Sequence, residues 1–288
     1  MGRPVTTVRR YRLGTELRRL REQAKVTQEV AGEVIDADDS KVSRVEQGKS
    51  PISRPQLVEL LKLYGLKERD RRYTALINLN KESRKKGWWQ QQGDLVPPTL
   101  QELIDLESSA SRIFCFESSL VPGLLQTKEY ATAMIGGFPL APGVSTVEQA
   151  VGVRMKRQDI LVGEEAPQLI CVLDESALRR CVDSPSIMGA QLRKLADVNN
   201  PPHLTIQVVP YANGVHAGMD GPFQLYSYPE PSDMDIAFVD YKGGRVFVEE
   251  SSEVAPFRLA SDHLRAQALS SDASVELISA IARGLERS

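Results

Sequence analysis

Cysteine and histidine are scarce in this sequence, and their spacing argues against the sites that they usually build. The 288 residues contain three cysteines and three histidines. The cysteines are Cys115, Cys171 and Cys181. An odd number without a CxxC pair predicts reduced thiols, two of them in apolar runs typical of buried strands. No histidine has a metal-ligand spacing to another histidine or to a cysteine, so we expect no metal site.

Long apolar runs and catalytic motifs are missing as well. No window holds the run of about eighteen apolar residues that a membrane-spanning helix needs, and the first residues lack an apolar signal core. We therefore expect a cytoplasmic protein with no membrane partner. The sequence also lacks a P-loop, a G-x-S-x-G motif and a G-x-G-x-x-G motif, so we expect neither an enzyme nor a bound cofactor.

What the sequence does contain is a strong charge asymmetry. Residues 1–92 carry 21 Lys and Arg against 12 Asp and Glu, whereas the remainder carries 15 against 26. A basic N-terminal part on an acidic body favours a polyanion-binding domain at the N-terminus. Two solvated surfaces without any partner would give the same counts, so the charge pattern needs a motif beside it.

Helical patterns fill the first ninety residues. Leu13, Leu17 and Leu20 recur at helical spacing within Tyr11–Gln23. An S-x-x-Q capping box at Ser53 predicts another helix, which ends before Gly65, and a polar helix is predicted over Lys67–Lys86.

Between these helices lies the most informative stretch, TQEVAGEVIDADDSKVSRVEQGK, from Thr27 to Lys49. Thr27 can cap a first short helix. The apolar face of that helix is predicted from Val30, Ala31, Val34 and Ile35. Asp36 can adopt a left-handed conformation in the turn, Asp38 can cap a second helix, and Gly48 can end it. Two short helices joined by a tight turn form the geometry that places the second helix in the DNA major groove.

The sequence from Leu13 to Leu63 resembles the Xre, or lambda-repressor-like, helix-turn-helix domains. The resemblance rests on Thr27-Gln28, on the apolar alternation that follows, and on SKVSRVEQGK at Ser40–Lys49, where the family shows an S-R-hydrophobic-E-x-G ending. It implies an all-α bundle of about five helices that binds double-stranded DNA.

Seven residues of this stretch are the DNA-binding candidates: Gln28, Asp39, Ser40, Lys41, Ser43, Arg44 and Lys49. Gln28, at a helix N-terminus, can reach a phosphate and support the second helix. Arg44 can hold the O6 and N7 atoms of guanine, whereas the two lysines are better placed to neutralise phosphates. We interpret Glu46 as structural, paired with an arginine of the bundle.

Three positions depart from the family pattern. Asp36 replaces the usual turn glycine, and Gly32 stands where the family commonly has alanine, which costs the helix up to about 1 kcal/mol. Asp39 puts an anion near the phosphates. Either it accepts a hydrogen bond from a cytosine amino group, or it is a second capping group that never reaches a base, which is the interpretation that we favour.

The remainder of the chain follows a different pattern. The stretch GWWQQQGDLVPP is typical of a linker, so we predict a helix-turn-helix domain at residues 1–86, a linker at 87–98 and a second domain at 99–288. A T-x-x-E box at Thr99 predicts a helix at the start of that domain. Four strand-like runs follow one another between residues 203 and 250, and two helices close the chain. These segregated elements predict an α+β domain with a mostly antiparallel sheet.

Several segments of the second domain resemble the companion domain of the WhiJ-like group of actinobacterial regulators, over about residues 98–285. They include VPGLLQT, RMKRQDIL, LDESALRR and IQVVPYANGVHAGMDGPFQLYSYP. The members of that group are similar to developmental or antitoxin-type regulators and are often paired with a small protein encoded by a neighbouring gene. The resemblance implies such a partner here, although nothing in the composition indicates it.

Polar residues of the second domain form one ligand candidate. Arg154, Arg157 and Gln158 share one helix face. They form either a solvated face paired with acidic neighbours, which we favour, or a cradle for a small anionic ligand or an acidic partner protein. Asp174-Glu175 is similar to a catalytic carboxylate pair but is more simply a helix cap. The loop Asn213–Gly221, with His216, either connects two strands or lines a pocket, and we favour the connector.

We therefore hypothesise a nucleoid-associated, sequence-specific transcriptional regulator. A homodimer is expected because one recognition helix contacts few bases, and two half-sites about one helical turn apart supply the missing affinity. The second domain would bind a small-molecule effector or a small partner protein. The alternative is an antitoxin-like protein-interaction module whose DNA binding serves autoregulation. An enzyme fused to a DNA-binding domain is a further alternative, against which the missing nucleophile and base argue.

Overall fold

The protein divides into two compact units, which we describe separately. The computed structural model describes residues 8–84, 88–91, 95–140, 143–228, 235–242 and 244–286. Within that part of the chain, the first unit contains the residues up to Gln91 together with Pro98–Ser109 and Tyr228, and the second contains the rest. The predicted boundary at residue 99 thus differs from this division, because the helix Pro98–Ser109 groups with the first unit.

Helices build the first unit. They are α1 (Val8–Gln23), α2 (Gln28–Val34), α3 (Asp39–Glu46), α4 (Arg54–Leu63), α5 (Arg71–Glu82) and α6 (Pro98–Ser109). A short 3-10 helix, Trp88–Gln91, precedes α6. The bundle encloses leucines from three of the helices, α1, α4 and α5, among them Leu13, Leu17, Leu20, Leu57, Leu60, Leu61 and Leu76. The helical spacing of leucines that predicted α1 therefore marks the face of this helix that is buried in the bundle.

Local signals set most of the boundaries in this unit. The Ser53 side chain accepts from the backbone N–H of Gln56, and the Gln56 side chain accepts from the backbone N–H of Ser53, so the predicted capping box is confirmed. Gly65 follows α4 with φ +85°, as a helix-ending glycine does. Two predictions were wrong. The polar helix begins only at Arg71, after a turn in which Asp70 accepts from the N–H of Lys67, and α6 begins at Pro98, so Thr99 is not its cap.

Helix α6 is fixed to α1 by buried polar contacts. The N–H of Val8 donates to Asp105 Oδ2 over 2.5 Å, and the hydroxyl of Tyr228 donates to the carbonyl of Leu106 over 3.2 Å. The guanidinium of Arg12 lies 4.6 Å from the centre of the Tyr228 ring, a cation–π distance.

The second unit is built on a six-stranded sheet. The strands are β1 (Arg112–Glu117), β2 (Gln168–Asp174), β3 (Leu204–Val209), β4 (Phe223–Ser227), β5 (Asp235–Tyr241) and β6 (Gly244–Val248). The helices are α7 (Lys128–Gly136), α8 (Val147–Arg157), α9 (Glu175–Arg179), α10 (Pro185–Val198), α11 (Ser251–Gln267) and α12 (Ser271–Leu285).

The order of the strands is β3-β2-β1-β4-β5-β6. The pairs β1–β2 and β2–β3 are parallel, and the three pairs from β1–β4 to β5–β6 are antiparallel. The predicted fold class, an all-α N-terminal bundle followed by an α+β domain with a mostly antiparallel sheet, is therefore confirmed. The direction of the chain reverses across the sheet at β1, which lies beside both β2 and β4.

The predicted buried positions of the sheet are confirmed. Cys115 and Cys171 are buried thiols that lie opposite each other on β1 and β2, while Cys181 is an exposed thiol. Phe223 and Tyr226 are buried as well, which fits packing in the sheet rather than a stacking surface.

Candidate nucleic-acid interface

Helices α2 and α3 are joined by the turn that the sequence predicts. Thr27 Oγ1 accepts from the N–H of Val30, and Asp38 Oδ1 accepts from the N–H of Lys41 over 2.7 Å, so both predicted caps are confirmed. Hydrogen bonds from Ser40 and from the Lys41 N–H hold the pKa of Asp38 below its ordinary value. Asp36 has φ +51°, the left-handed conformation that the turn requires.

Gly32 has a packing reason that the sequence did not reveal. A Cβ at this position would lie 2.7 Å from the carbonyl oxygen of Ala37, which is inside van der Waals contact. The glycine that weakens α2 by propensity is therefore what lets the turn fold back onto the helix. Because Ala37 N–H donates to the carbonyl of Gly32 over 3.0 Å, any shift of this turn would also break a hydrogen bond.

One side of α2 does not match its predicted apolar face. Ala31 and Ile35 are buried, but Val30 and Val34 are 43% and 39% exposed. The prediction for these two valines was wrong, because a seven-residue helix packed on one side buries only a narrow stripe.

A buried ion pair fixes α3 to the helices before it. Glu46, in the last turn of α3, accepts from Arg21 Nε over 2.6 Å and from Arg21 Nη2 over 3.1 Å. The amide of Gln28, at the start of α2, donates to the same carboxylate over 2.8 Å. The interpretation of Glu46 as a structural residue is thus confirmed, and Gln28 has the supporting contact that we predicted. Its phosphate contact stays a prediction.

Helices α1 and α3 also touch through their backbones. A Cβ on Gly14 would lie 2.4 Å from the carbonyl oxygen of Val45 and 2.5 Å from that of Glu46. Position 14 therefore has room for glycine alone, and at this point no side chain separates the backbones of α1 and α3.

The opposite side of α3 is exposed and polar. Arg44 is half-exposed, and its Nη1 donates to Ser40 Oγ over 3.1 Å. Asp39 is the first residue of α3 and is exposed, and the cap of the helix is Asp38. Within the described chain the Asp39 carboxylate accepts no hydrogen bond, so our interpretation of Asp39 as a second cap was wrong.

The two candidate lysines differ in their contacts. Lys41 Nζ donates to Ser50 Oγ over 2.7 Å and to the carbonyl of Pro51 over 2.9 Å, which ties it to the loop after α3. Lys49 is exposed, and its ammonium donates to Gln47 Oε1 over 2.7 Å.

Gln47 also lies on this exposed surface, although it is not among the seven DNA-binding candidates predicted from the sequence. Its amide donates to Ser43 Oγ over 3.1 Å, and it is exposed just beyond the last residue of α3. The signal was present in the spacing, because Gln47 lies four residues after Ser43 and three after Arg44, on the same helix face. The amide of glutamine is a group that reads adenine bidentately.

In the second unit, the predicted ligand residues surround the loop from Val121 to Thr127. Arg154 Nη1 donates to Gln126 Oε1 over 2.8 Å. The amide of Gln158 donates to the carbonyls of Gly123 and Gln126, each over 2.9 Å. The third residue, Arg157, is buried in the same region.

Further amides complete the support of this loop. Gln126 donates to the carbonyl of Val121 over 2.8 Å, and Gln191 donates to that of Leu125 over 2.9 Å. Lys194 Nζ donates to the Gln126 carbonyl over 2.8 Å. Burial lowers the pKa of Lys194. These contacts give the polar residues around the loop a structural role, while their predicted role in binding a ligand stays a prediction.

The possible catalytic residues of the second unit hold a helix and a loop. Asp174 Oδ1 accepts from the N–H of Ser176 over 2.8 Å, which makes it the cap of α9 as the sequence indicates. His216 is buried, with Nε2 at 3.1 Å from Asp174 Oδ2, while its Nδ1 accepts from the N–H of Gly218 over 3.1 Å. The hydroxyl of Ser176 bonds Asp174 and the Ser118 carbonyl rather than the histidine. The arrangement therefore anchors the loop after β3 and lacks the serine–histidine contact of a hydrolase.

One acid of this unit is strongly perturbed. Glu117 ends β1, and burial raises its pKa to about 8, with the charge of Asp240 adding to the rise and Arg154 opposing it. In the described part of the chain, no group of three or more His, Cys, Asp or Glu side chains is arranged to hold a metal ion.

Two family models match the chain. One, described as Domain of unknown function (DUF5753), matches residues 100–280, and the other, described as Helix-turn-helix domain, matches residues 12–73. No curated protein and no solved structure is significantly similar to the chain. The second match includes α2, α3 and the turn between them, so the first unit carries a helix-turn-helix domain, a motif that typically binds DNA. Among the helices that the structure describes, none is both long and apolar enough to cross a membrane.

Proposed function

Because the chain belongs to the family described as Domain of unknown function (DUF5753) and carries a helix-turn-helix domain before it, we propose that it is a sequence-specific transcriptional regulator. The proposal includes the Xre-type character of the first unit. It assigns no catalytic activity to the second unit, whose proposed task is to bind an effector or a small partner protein.

The observation that carries the proposal is the combination of a fixed and an exposed side on α3. Glu46 holds the inner side through Arg21 and Gln28, so the helix keeps one orientation. The outer side presents short hydroxyls, an amide and Arg44, whose groups can bond base edges in the major groove. Two exposed valines on the neighbouring α2 do not interrupt this surface, because they lie on the other helix.

The position of each side chain on or after α3 decides whether it would contact a base or a phosphate. Arg44 projects from the middle of α3 and can bond guanine O6 and N7, which is worth about 1–3 kcal/mol of discrimination. Lys49 follows the helix, where it approaches the backbone of the duplex and contributes charge without sequence information. Gln47, beside Ser43, is a second candidate base reader.

The proposed regulator acts as a homodimer. A single α3 contacts few base pairs, so two copies on half-sites about one helical turn apart would supply the affinity and specificity that an operator requires. The acidic balance of residues 93–288 supports selective binding, because negative charges repel every duplex alike and only an operator offsets this repulsion with base contacts.

The test is selection of bound duplexes from a random pool, with the wild type, Arg44→Ala and Lys49→Ala. We expect Arg44→Ala to relax the preference at one base pair in each half-site. We expect Lys49→Ala to weaken all sequences alike and to lower the salt dependence of binding by about one counterion. Equal weakening of all sequences by both variants would remove Arg44 as a base reader, and no preference for any duplex by the wild type would refute the proposed function.

A further inference from the structure

Helix α12 has more apolar surface than its own unit covers. Ser274, Ile278 and Ala282 are buried on the side that packs against α10 and β3. A second row beside them is partly or fully exposed and consists of Leu277, Ala280, Ile281, Gly284 and Leu285. A helix on a protein surface needs an apolar stripe of roughly 100° to pack on its core, and the stripe of α12 is roughly twice as wide.

The exposed row lines a groove between α12 and α9. The groove has a volume of about 330 Å³, and Leu178 and Arg179 form its other wall. Gly284 faces open space, since a Cβ there would meet no atom within 4 Å. Small residues at positions 280 and 284 leave room for a second helix to approach closely, because the distance between packed helices is set by the side chains at the contact.

We propose that this groove binds α12 of a second copy of the chain, with the two helices antiparallel around a twofold axis near Ser279. The inference rests on the proposed function in one respect, since it names the surface through which the regulator dimerises. A twofold interface must be self-complementary, so the same row of apolar side chains forms both halves of the contact.

Charge favours this occupant over an unrelated protein. Glu276 and Arg283 are exposed and lie seven residues apart along the same edge of the apolar row. Within the described residues neither of them has an ion-pair partner. In an antiparallel pair centred near Ser279, Glu276 of one copy lies beside Arg283 of the other, and the symmetry forms this pair twice. A parallel pair would instead bring each residue towards its own counterpart.

Charge reversal tests the partner and its direction together. Glu276→Arg places two arginines opposite each other, and Arg283→Glu places two glutamates, so each single variant should dimerise about tenfold or more weakly than the wild type. An equimolar mixture of the two variants restores opposite charges at both pairs, as does the double variant. We therefore expect heterodimers in the mixture and homodimers of the double variant, each at about wild-type affinity.

The measurement is sedimentation equilibrium of the full chain without DNA, with native mass spectrometry to identify the heterodimer. Ile281→Glu should abolish dimerisation by placing charge in the groove, and its thermal unfolding checks that the chain is folded. Asp262→Arg, an exposed charge reversal on α11, is the matched control and should dimerise like the wild type.

Three results would overturn the inference. A wild type that stays monomeric at every concentration would leave the groove to a different protein. Dimerisation that withstands both single reversals would place the interface elsewhere. Single variants that lose dimerisation but do not restore it when mixed would refute the antiparallel arrangement. None of these results depends on DNA, so a failure of this inference is distinct from a failure of the selection experiment with Arg44→Ala.

Discussion

The two units of this protein satisfy their buried polar groups with different chemistry. In the helical unit, charged side chains join the helices: Glu46 pairs with Arg21, and Glu16 pairs with Arg19 and Arg72. Burial raises the pKa of Glu16 and lowers the pKa of Arg12 to about 10.

In the α+β unit, neutral amides perform the corresponding task. Gln191 accepts from the N–H of Thr127 over 2.7 Å and donates to the carbonyl of Leu125, so one side chain satisfies two backbone groups. Asn199 likewise accepts from the N–H of Ile206 and donates to Ser271 Oγ.

This difference between charged pairs and amides predicts which unit is more sensitive to pH. A charged pair holds two helices at a fixed angle, but it depends on both charges being present, because a lone buried charge is costly. An amide holds a loop at any pH at which the backbone is intact. Charged pairs therefore join helices of the helical unit, whereas in the larger unit amides, together with Arg154 and Lys194, hold the loop from Val121 to Thr127.

Among the changes that test this contrast, removal of Glu46 should cause the largest loss of unfolding free energy. Glu46→Ala leaves Arg21 buried without its counter-charge, which costs about 3–5 kcal/mol of unfolding free energy. Both tryptophans lie in the first unit, so urea unfolding followed by their fluorescence reports that unit. Glu59→Ala is the control, because the exposed pair of Glu59 with Lys62 in the same unit contributes little to stability. Equal losses in the two variants would contradict the structural role of the buried pair.

A smaller loss should follow from the corresponding change in the second unit. Gln191→Leu keeps the volume of a side chain that is fully buried but leaves the Thr127 N–H and the Leu125 carbonyl unsatisfied, at a cost of about 2–3 kcal/mol. Hydrogen exchange of the Thr127 amide measures the effect directly. The loss should be the same at pH 5 and pH 8. Gln168→Leu, which removes one exposed hydrogen bond to Pro202, should cost less than about 1 kcal/mol, and an equal cost would count against the buried clamp.

The third prediction concerns the acid that departs from the amide pattern of the second unit. The pKa of Glu117 rises from its ordinary value of 4.5 to about 8, so the folded protein keeps a proton that the unfolded chain has released. Between these pH values, stability falls as the pH rises, because the native state binds more protons than the unfolded state.

Glu117→Gln removes the loss of stability that deprotonation of Glu117 causes as the pH rises. We expect the variant to be more stable than the wild type at pH 8 and about equal to it at pH 4, because at pH 8 the unfolded wild type has released a proton that native Glu117 still largely holds. Urea unfolding followed by circular dichroism at the two pH values measures the difference. Glu129→Gln, an exposed change on α7, should show no such pH dependence, and a difference between Glu117→Gln and the wild type that is independent of pH would show that Glu117 does not titrate in this range.

Local interactions made part of this structure predictable. Thr27, Asp38 and Asp36 act within three or four residues of their own positions, so the caps and the turn could be predicted from the sequence. The four strand-like runs after residue 203 were identified for the same reason, since alternation is a property of one strand. The parallel pairings of β1 with β2 and of β2 with β3 join segments about thirty or more residues apart, and no local pattern specifies them.

The candidate DNA-binding surface was predictable to a similar degree. The polar residues of α3 share a helix face by spacing alone, and only Gln47, just beyond the helix end, was missed. The exposure of Val30 and Val34 was not predictable, because it depends on which neighbouring helices cover α2. By helix propensity, glycine at positions 14 and 32 destabilises α1 and α2. The reason for glycine there is the close approach of backbone atoms from other segments, which the sequence does not show.

Gly14 has a mechanical consequence. Where two helices meet through side chains, rotamer changes absorb small displacements, but α1 and α3 meet here backbone to backbone. A displacement of α3 at this point therefore requires a displacement of α1. If α3 enters the major groove as proposed, deformation of the duplex would contribute to the fit, and we expect operators made of easily deformed base steps to be bound in preference to rigid ones with the same contacted bases.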